Sequence, residues 1–133
     1  MSGMTAYVER LFLNALLLGM QPKLPEAVYV GLFLTPPSRE GEGVEVSGLG
    51  YQRQAVVFDG LPLLGVYRNA AEVWFPDAET DWGKLGYFAL FDAAKAGNML
   101  VFGELERELR VTAGAAIHFE VGALAVMFAK KPN

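Results

Sequence analysis

Apolar residues recur at three- and four-residue spacing in one place only. Val8, Leu11, Phe12, Ala15 and Leu18 mark one face of a helix over Thr5 to Leu18. Leu16 and Leu17 widen that stripe beyond what a surface helix needs. Thr5 is placed to cap the start, and Gly19 suits the left-handed residue that ends a helix. The width predicts a helix packed partly on its own domain and partly on a neighbouring subunit, with Leu11, Phe12 and Leu16 as partner contacts.

Elsewhere the apolar pattern alternates or comes in short runs. Glu26 to Leu34 places Val28, Val30, Leu32 and Leu34 on one face and Tyr29, Gly31 and Phe33 on the other. Thr35 to Gly50, rich in Pro, Gly and Glu, contains nothing suited to a core and is expected to be a long exposed loop. Tyr51 to Phe58 is the next strand, Asp59 to Gly65 a turn, and Val66 to Phe75 a further strand stopped by Pro76. After the acidic loop Asp77 to Lys84, Leu85 to Phe91 is apolar at nearly every position, as a strand covered on both faces requires. The short turn Asp92 to Asn98 and the run Met99 to Phe102 make an antiparallel partner for it. Glu104 to Arg110, ELERELR, fits neither helix nor strand period cleanly and is read as an edge segment leading into Val111.

Near the end, Ile117, Phe119 and Val121 are expected inward and His118 and Glu120 outward. Gly122 marks a turn, and Ala123 to Ala129 is a last strand with Leu124, Val126 and Phe128 inward, followed by a polar tail from Lys130 to Asn133. The total is about seven or eight strands at short spacing with no second helix for crossovers. The expected fold is mainly β: an antiparallel β-sandwich or jelly-roll-like barrel with one N-terminal α-helix, in a single domain over 1–133.

Charge and composition narrow the function. Fifteen acidic residues against eleven basic ones, net −4, lack the basic face a nucleic-acid binder needs. The absence of cysteine removes disulfides and thiolate chemistry. Leu11 to Met20 is too short to span a membrane and is interrupted by Asn14 and Gly19. Glu9 beside Arg10, and Pro22–Lys23 where a small-residue cleavage site belongs, argue against a secretory signal. The apolar share of 53% lies slightly above the usual level of about 45–50%, in keeping with surface buried against another chain.

Catalytic machinery is not expected. His118, the sole histidine, lies on the predicted solvent face, and no serine or threonine sits in a nucleophile elbow. The glycines Gly41, Gly43, Gly48 and Gly50 sit among acids and precede no helix, so they cradle no phosphate, and no cofactor is expected. Asp77, Glu79 and Asp81 begin like a calcium loop, but Gly83 is one position late and Phe88 stands where a bidentate glutamate belongs. They are the metal candidates in a chain expected to bind none. Glu72 with Asp77 or Glu79 makes a poor glycosidase pair. Of the aromatics Tyr51, Tyr67, Tyr87, Trp74 and Trp82, which could form a carbohydrate platform, most are expected in the core. Trp82, between Asp81 and Gly83, is expected near the surface.

Several segments resemble a family. These are VYVGLF (Val28 to Phe33), EVSGLGYQRQAVVF (Glu45 to Phe58), NAAEVWFPDAETDWG (Asn69 to Gly83), the FDA turn with GNML after it, VTAG near the end, and the opening YVERLFLNALL. Their order and spacing are similar to those of small tailed-phage virion proteins usually labelled phage tail fibre proteins. The chain departs from that pattern in the acidic loop Arg39 to Glu45 and in the LPLLG turn. The resemblance implies a non-enzymatic virion protein made in a bacterial host. It would be a homo-oligomer, trimer first, in contact with other virion proteins. A capsid decoration protein, and a receptor-binding module presenting the Trp82 loop to a host surface glycan, are the alternatives.

Overall fold

The computed structural model describes residues 2–128. In chain order the elements are β1 (Gly3–Met4), α1 (Ala6–Leu18), β2 (Val28–Phe33), β3 (Gln54–Val56), β4 (Phe58–Leu61), β5 (Val66–Asn69), β6 (Val73–Trp74), β7 (Gly83–Phe91), β8 (Met99–Val111), β9 (His118–Phe119) and β10 (Ala125–Met127). A single 3-10 turn, Pro62–Leu64, joins β4 to β5. All strand pairs are antiparallel, in sheets ordered β1-β8-β7-β2-β3, β10-β5-β4 and β6-β9. The fold is thus mainly β with one N-terminal helix, as the spacing of apolar runs predicts. Among the described residues there are ten strands where seven or eight are expected, because β1 is added and the stretches Tyr51 to Phe58 and Val66 to Phe75, each expected as one strand, are divided into β3 with β4 and β5 with β6.

The most continuous apolar run, in β7, lies at the centre of the five-stranded sheet, between β8 and β2. Both of its faces are covered. Leu85, Phe88 and Leu90 join Val30 and Leu32 of β2 in the main core, which Val73, Phe119 and Val126 close from the two smaller sheets and Leu124 from the connection just before β10. Ala89 and Phe91 point the other way and pack with Phe33, Met99 and Phe102.

Most residues of the 35–50 segment, expected as a long exposed loop, are exposed, but the segment is tied back along β2. The Leu34 N–H donates to Val44 O at 2.8 Å and the Val46 N–H to Leu32 O at 2.9 Å, so the chain folds back along the end of β2. Val46 is buried in the main core. Gly43 lies against the Phe33 ring, where a Cβ would be 3.0 Å from Cδ2. One buried valine among Gly, Pro and Glu leaves no periodic signal in sequence.

A polar clasp holds the returning segment. The Arg53 guanidinium lies 3.5 Å above the Phe91 ring centroid. It donates to both Glu45 oxygens, at 2.8 and 2.9 Å, and to the Ala93 and Ala96 carbonyls. Tyr51 donates to Glu45 Oε2 at 2.6 Å and accepts the Leu32 N–H at 2.9 Å. Gly31 is required beneath it, because a Cβ there would be 2.6 Å from Glu45 Oε2.

The stretch expected as one strand over Tyr51 to Phe58 is divided. β3 belongs to the five-stranded sheet and β4 to the three-stranded one, with Val57 exposed at the crossing. The following turn is correspondingly shorter than Asp59 to Gly65. ELERELR lies within β8, and β1 borders β8 only at Val101 and Phe102, so this part is an edge. Its unclear period has a cause. Leu85 pairs with Leu109 but Tyr87 with Glu104, so β8 advances five residues while β7 advances two.

At the C-terminal end the expected alternation is cut short. Asn69 is buried, and its side chain donates to Ala71 O and Glu120 O while accepting the Leu124 N–H at 2.9 Å. The chain therefore wraps around Asn69 through Gly122 (φ 83°) instead of running on as a strand. Val121 and Phe128, expected inward, are exposed, whereas Leu124 and Val126 are buried as expected. Ala129 and the expected tail from Lys130 to Asn133 lie outside the described residues.

Candidate functional site

The expected helix forms with its expected caps. The Thr5 hydroxyl accepts the Val8 N–H, and Gly19 closes the helix at φ 68°. Thr5 is also the anchor. It is buried, its hydroxyl donates to Met99 O at 2.8 Å, and its N–H donates to Leu100 O at 3.0 Å. The Ala6 N–H donates to Arg39 O, and Arg39 pairs with Glu9. Hydrogen bonding from Arg39 holds the Glu9 carboxyl below its ordinary value, even though burial works the other way.

Every one of these ties is in the first turn. Val8 is the helix's one buried residue. Phe12 and Leu13 are exposed, and Leu16, Leu17 and Leu18 are 78%, 75% and 69% exposed. Successive helical residues are about 100° apart, so three consecutive leucines surround most of the last turn. No rotation about the helix axis could bury all three against this chain's own sheet. Met20 and Leu24, in the segment returning to β2, are exposed as well. Of the predicted partner contacts, Phe12 and Leu16 are open and Leu11 is half-buried.

Trp82 is a correction. It is only 4% exposed, and its indole N–H donates to Leu49 O at 3.0 Å. Its ring meets Tyr51 edge-on, with centroids 5.5 Å apart. Gly48 allows this approach, since a Cβ there would be 2.4 Å from Trp82 Cδ1. The flanking Asp81 and Gly83 suggested a surface position, but the 46–50 segment packs over the indole. The three acids nearby are exposed and serve the loop. Asp81 accepts the Ala113 N–H at 2.8 Å, and the backbone between Asp77 and Glu79 bonds to Leu49, Ala115 and Gly114. Among the described residues no group of three His, Cys, Asp or Glu side chains is disposed to hold a metal.

The exposed tryptophan is Trp74, at 55%. The signal for it lay in the alternation Val73 in, Trp74 out, Phe75 in. Its indole N–H donates to Glu72 Oε2 at 2.8 Å. Its ring stacks on His118, its cross-strand partner, with centroids 4.3 Å apart and planes 12° apart. His118 is exposed, as expected.

The recognisable segments therefore build the fold. Glu45, Tyr51 and Arg53 form the clasp, Asn69 the hub of the C-terminal wrap, and Trp82 the strap between two loops. Asp92 accepts both the backbone and side-chain N–H groups of Asn98 across the β7–β8 turn. Burial raises the Asp92 carboxyl, but these hydrogen bonds outweigh it and hold the group below its ordinary value. No curated protein matches the chain. A family model described as podophage GP4 fiber I protein gp80 matches residues 3–127, which runs from β1 through β10. The chain belongs to that podophage fibre protein family.

Proposed function

We propose that the protein is a non-enzymatic structural subunit of the phage particle, tail-associated, and that α1 joins it to further copies of itself, with a trimer as the first stoichiometry. The observation that carries this reading is the apolar last turn of α1, fastened at its root and bare at its tip. Full burial of one leucine is worth about 1.5–3 kcal/mol, so three in one turn make a strong drive to associate. A helical turn apolar on all sides is one that other chains can cover, and cyclic symmetry lets identical helices cover one another. Size-exclusion chromatography with light scattering tests it. The expected outcome is a discrete oligomer at micromolar concentration; a monomer at the highest attainable concentration removes self-assembly from the reading. Immunogold labelling of particles tests the tail position, and label on the head instead favours a capsid decoration protein.

A further inference from the structure

We propose that the apolar tip of α1 in one copy of the chain seats on the outer face of the β10-β5-β4 sheet of a neighbouring copy. The inference rests on self-assembly through α1 and names the surface that receives the helix.

The inner face of this sheet belongs to the core, where Val126 is buried and Phe58 and Tyr67 pack beside it. Strand alternation therefore turns Asp59, Leu61, Val66, Arg68, Ala125 and Met127 outward. The register sets them in two rows across the strands. Leu61, Val66 and Met127 align in one, and Asp59, Arg68 and Ala125 in the next. An antiparallel sheet with one buried face usually presents polar residues on the other. Here the first row is wholly apolar, with Leu61 and Met127 exposed. Leu63 and Leu64 of the 3-10 turn, and Phe128 after β10, are exposed at its border. None of these side chains belongs to either core cluster.

Symmetry, area, shape and charge all point to α1 as the occupant. A ring of three copies is closed by two different surfaces that fit one another, since an isologous contact stops at two. Within its own chain α1 packs on β8, which leaves its tip and this sheet face as separate surfaces. Packing between sister helices covers one stripe of each, so leucines that surround the last turn need a second cover. A fully exposed large side chain presents about 200 Å². By that measure the helix tip with Met20 and Leu24, and the sheet face with its turn, each offer roughly 600 Å² of apolar surface, and together they reach the about 1,200 Å² at which specific interfaces begin. Asp59, Gly60, Leu61, Val66 and Arg68 surround a depression of about 170 Å³. That is below the range of about 300 Å³ upward for small-ligand sites, and it suits a single aliphatic side chain. The C-terminal end of a helix carries unpaired carbonyls and partial negative charge, and α1 has no basic residue in its last turn. Arg68, exposed beside the apolar row and steadied by its bond to Gly122 O at 3.1 Å, supplies the cation from the neighbour.

The test uses full-length chains and light scattering at equal concentrations. Leu61→Glu with Met127→Glu is expected to lower the mass from that of the parent assembly to that of a monomer, as is Leu16→Glu with Leu17→Glu. Each pair spoils a different half of the interface. An equimolar mixture of the two variants should therefore form a heterodimer, with the intact helix of one on the intact sheet of the other. Unchanged far-UV circular dichroism shows that each variant is folded. If the sheet variant fails to fold, the absence of native cysteine allows a milder test. Chains carrying Leu17→Cys and Leu61→Cys are mixed and oxidised, and a cross-link between one of each is expected that Leu61→Cys by itself does not form. The proposal is overturned by a folded sheet variant that assembles as the parent does, by a mixture that stays monomeric, or by the absence of the mixed cross-link. With an assembled parent, those results leave self-assembly through α1 in place and reject only this sheet face. A monomeric parent rejects both.

Discussion

The phenol of Tyr51 links three parts of the chain: it accepts from Leu32 in β2, donates to Glu45 in the returning loop, and packs against Trp82 and Phe75. Burial pushes its pKa well above the ordinary tyrosine value, and the hydrogen bond and charge of Glu45 push the same way. The sign of the pH dependence follows. An unfolded tyrosine loses its proton near pH 10, but the folded one retains it. The contribution is fully present below about pH 10 and is lost as pH rises from there toward the folded value. Tyr51→Phe strands the Leu32 N–H and a carboxylate lone pair, so urea denaturation at neutral pH should show a loss of about 1–3 kcal/mol. Its stability should also fall less steeply above about pH 10 than the parent's. Identical alkaline slopes would assign that limb to other groups.

The irregular pairing of β7 with β8 belongs to the scale of elements. β8 carries three more residues than β7 between the Leu85–Leu109 and Tyr87–Glu104 pairs, since five positions face two. Leu105 is buried while Glu106, Arg107 and Glu108 are exposed, so the surplus lies on the solvent side. Removing Glu106 to Glu108 would bring Leu105 opposite Gly86 and join the two registers into one. Among the described residues, the ion pair lost is the exposed contact of Lys84 with Glu108, and such pairs contribute about 0–1 kcal/mol. The deletion variant should fold, with stability within about 1 kcal/mol of the parent and cross-strand NMR contacts between Leu105 and Gly86. A variant that does not fold would show that the bulge is needed to bring Leu105 into the core.

For the whole molecule, the question is what the helix tip does outside the β core. The clasp, the Asn69 hub and the sheets do not use Leu16 or Leu17. Leu16→Glu with Leu17→Glu should leave the far-UV circular dichroism of the β core intact. It should also convert an assembled species into a monomer, because two carboxylates cannot be buried unpaired without a cost of several kcal/mol each. Light scattering on parent and variant at equal concentrations checks this. An unchanged assembly would move the interface to another surface.

Much of this was legible from local order. The caps of α1, the both-sided burial of β7 and the short turn into β8 all depend on residues near one another in sequence, where period and backbone preference act directly. The amino-acid order also marked Phe12 and Leu16 as contact candidates on an unusually wide apolar arc, and both are exposed. Tertiary structure alone decided that Trp82 is buried. Trp82 looks exposed beside Asp81 and Gly83 until a segment more than thirty residues away brings Leu49 O to its indole N–H, whereas Trp74, inside an apolar run, is turned outward by strand alternation. It likewise decided that Val46 is core and that ELERELR carries a bulge. Burial depends on what packs from a distance, and register depends on the partner strand, and neither is written in the spacing of one segment.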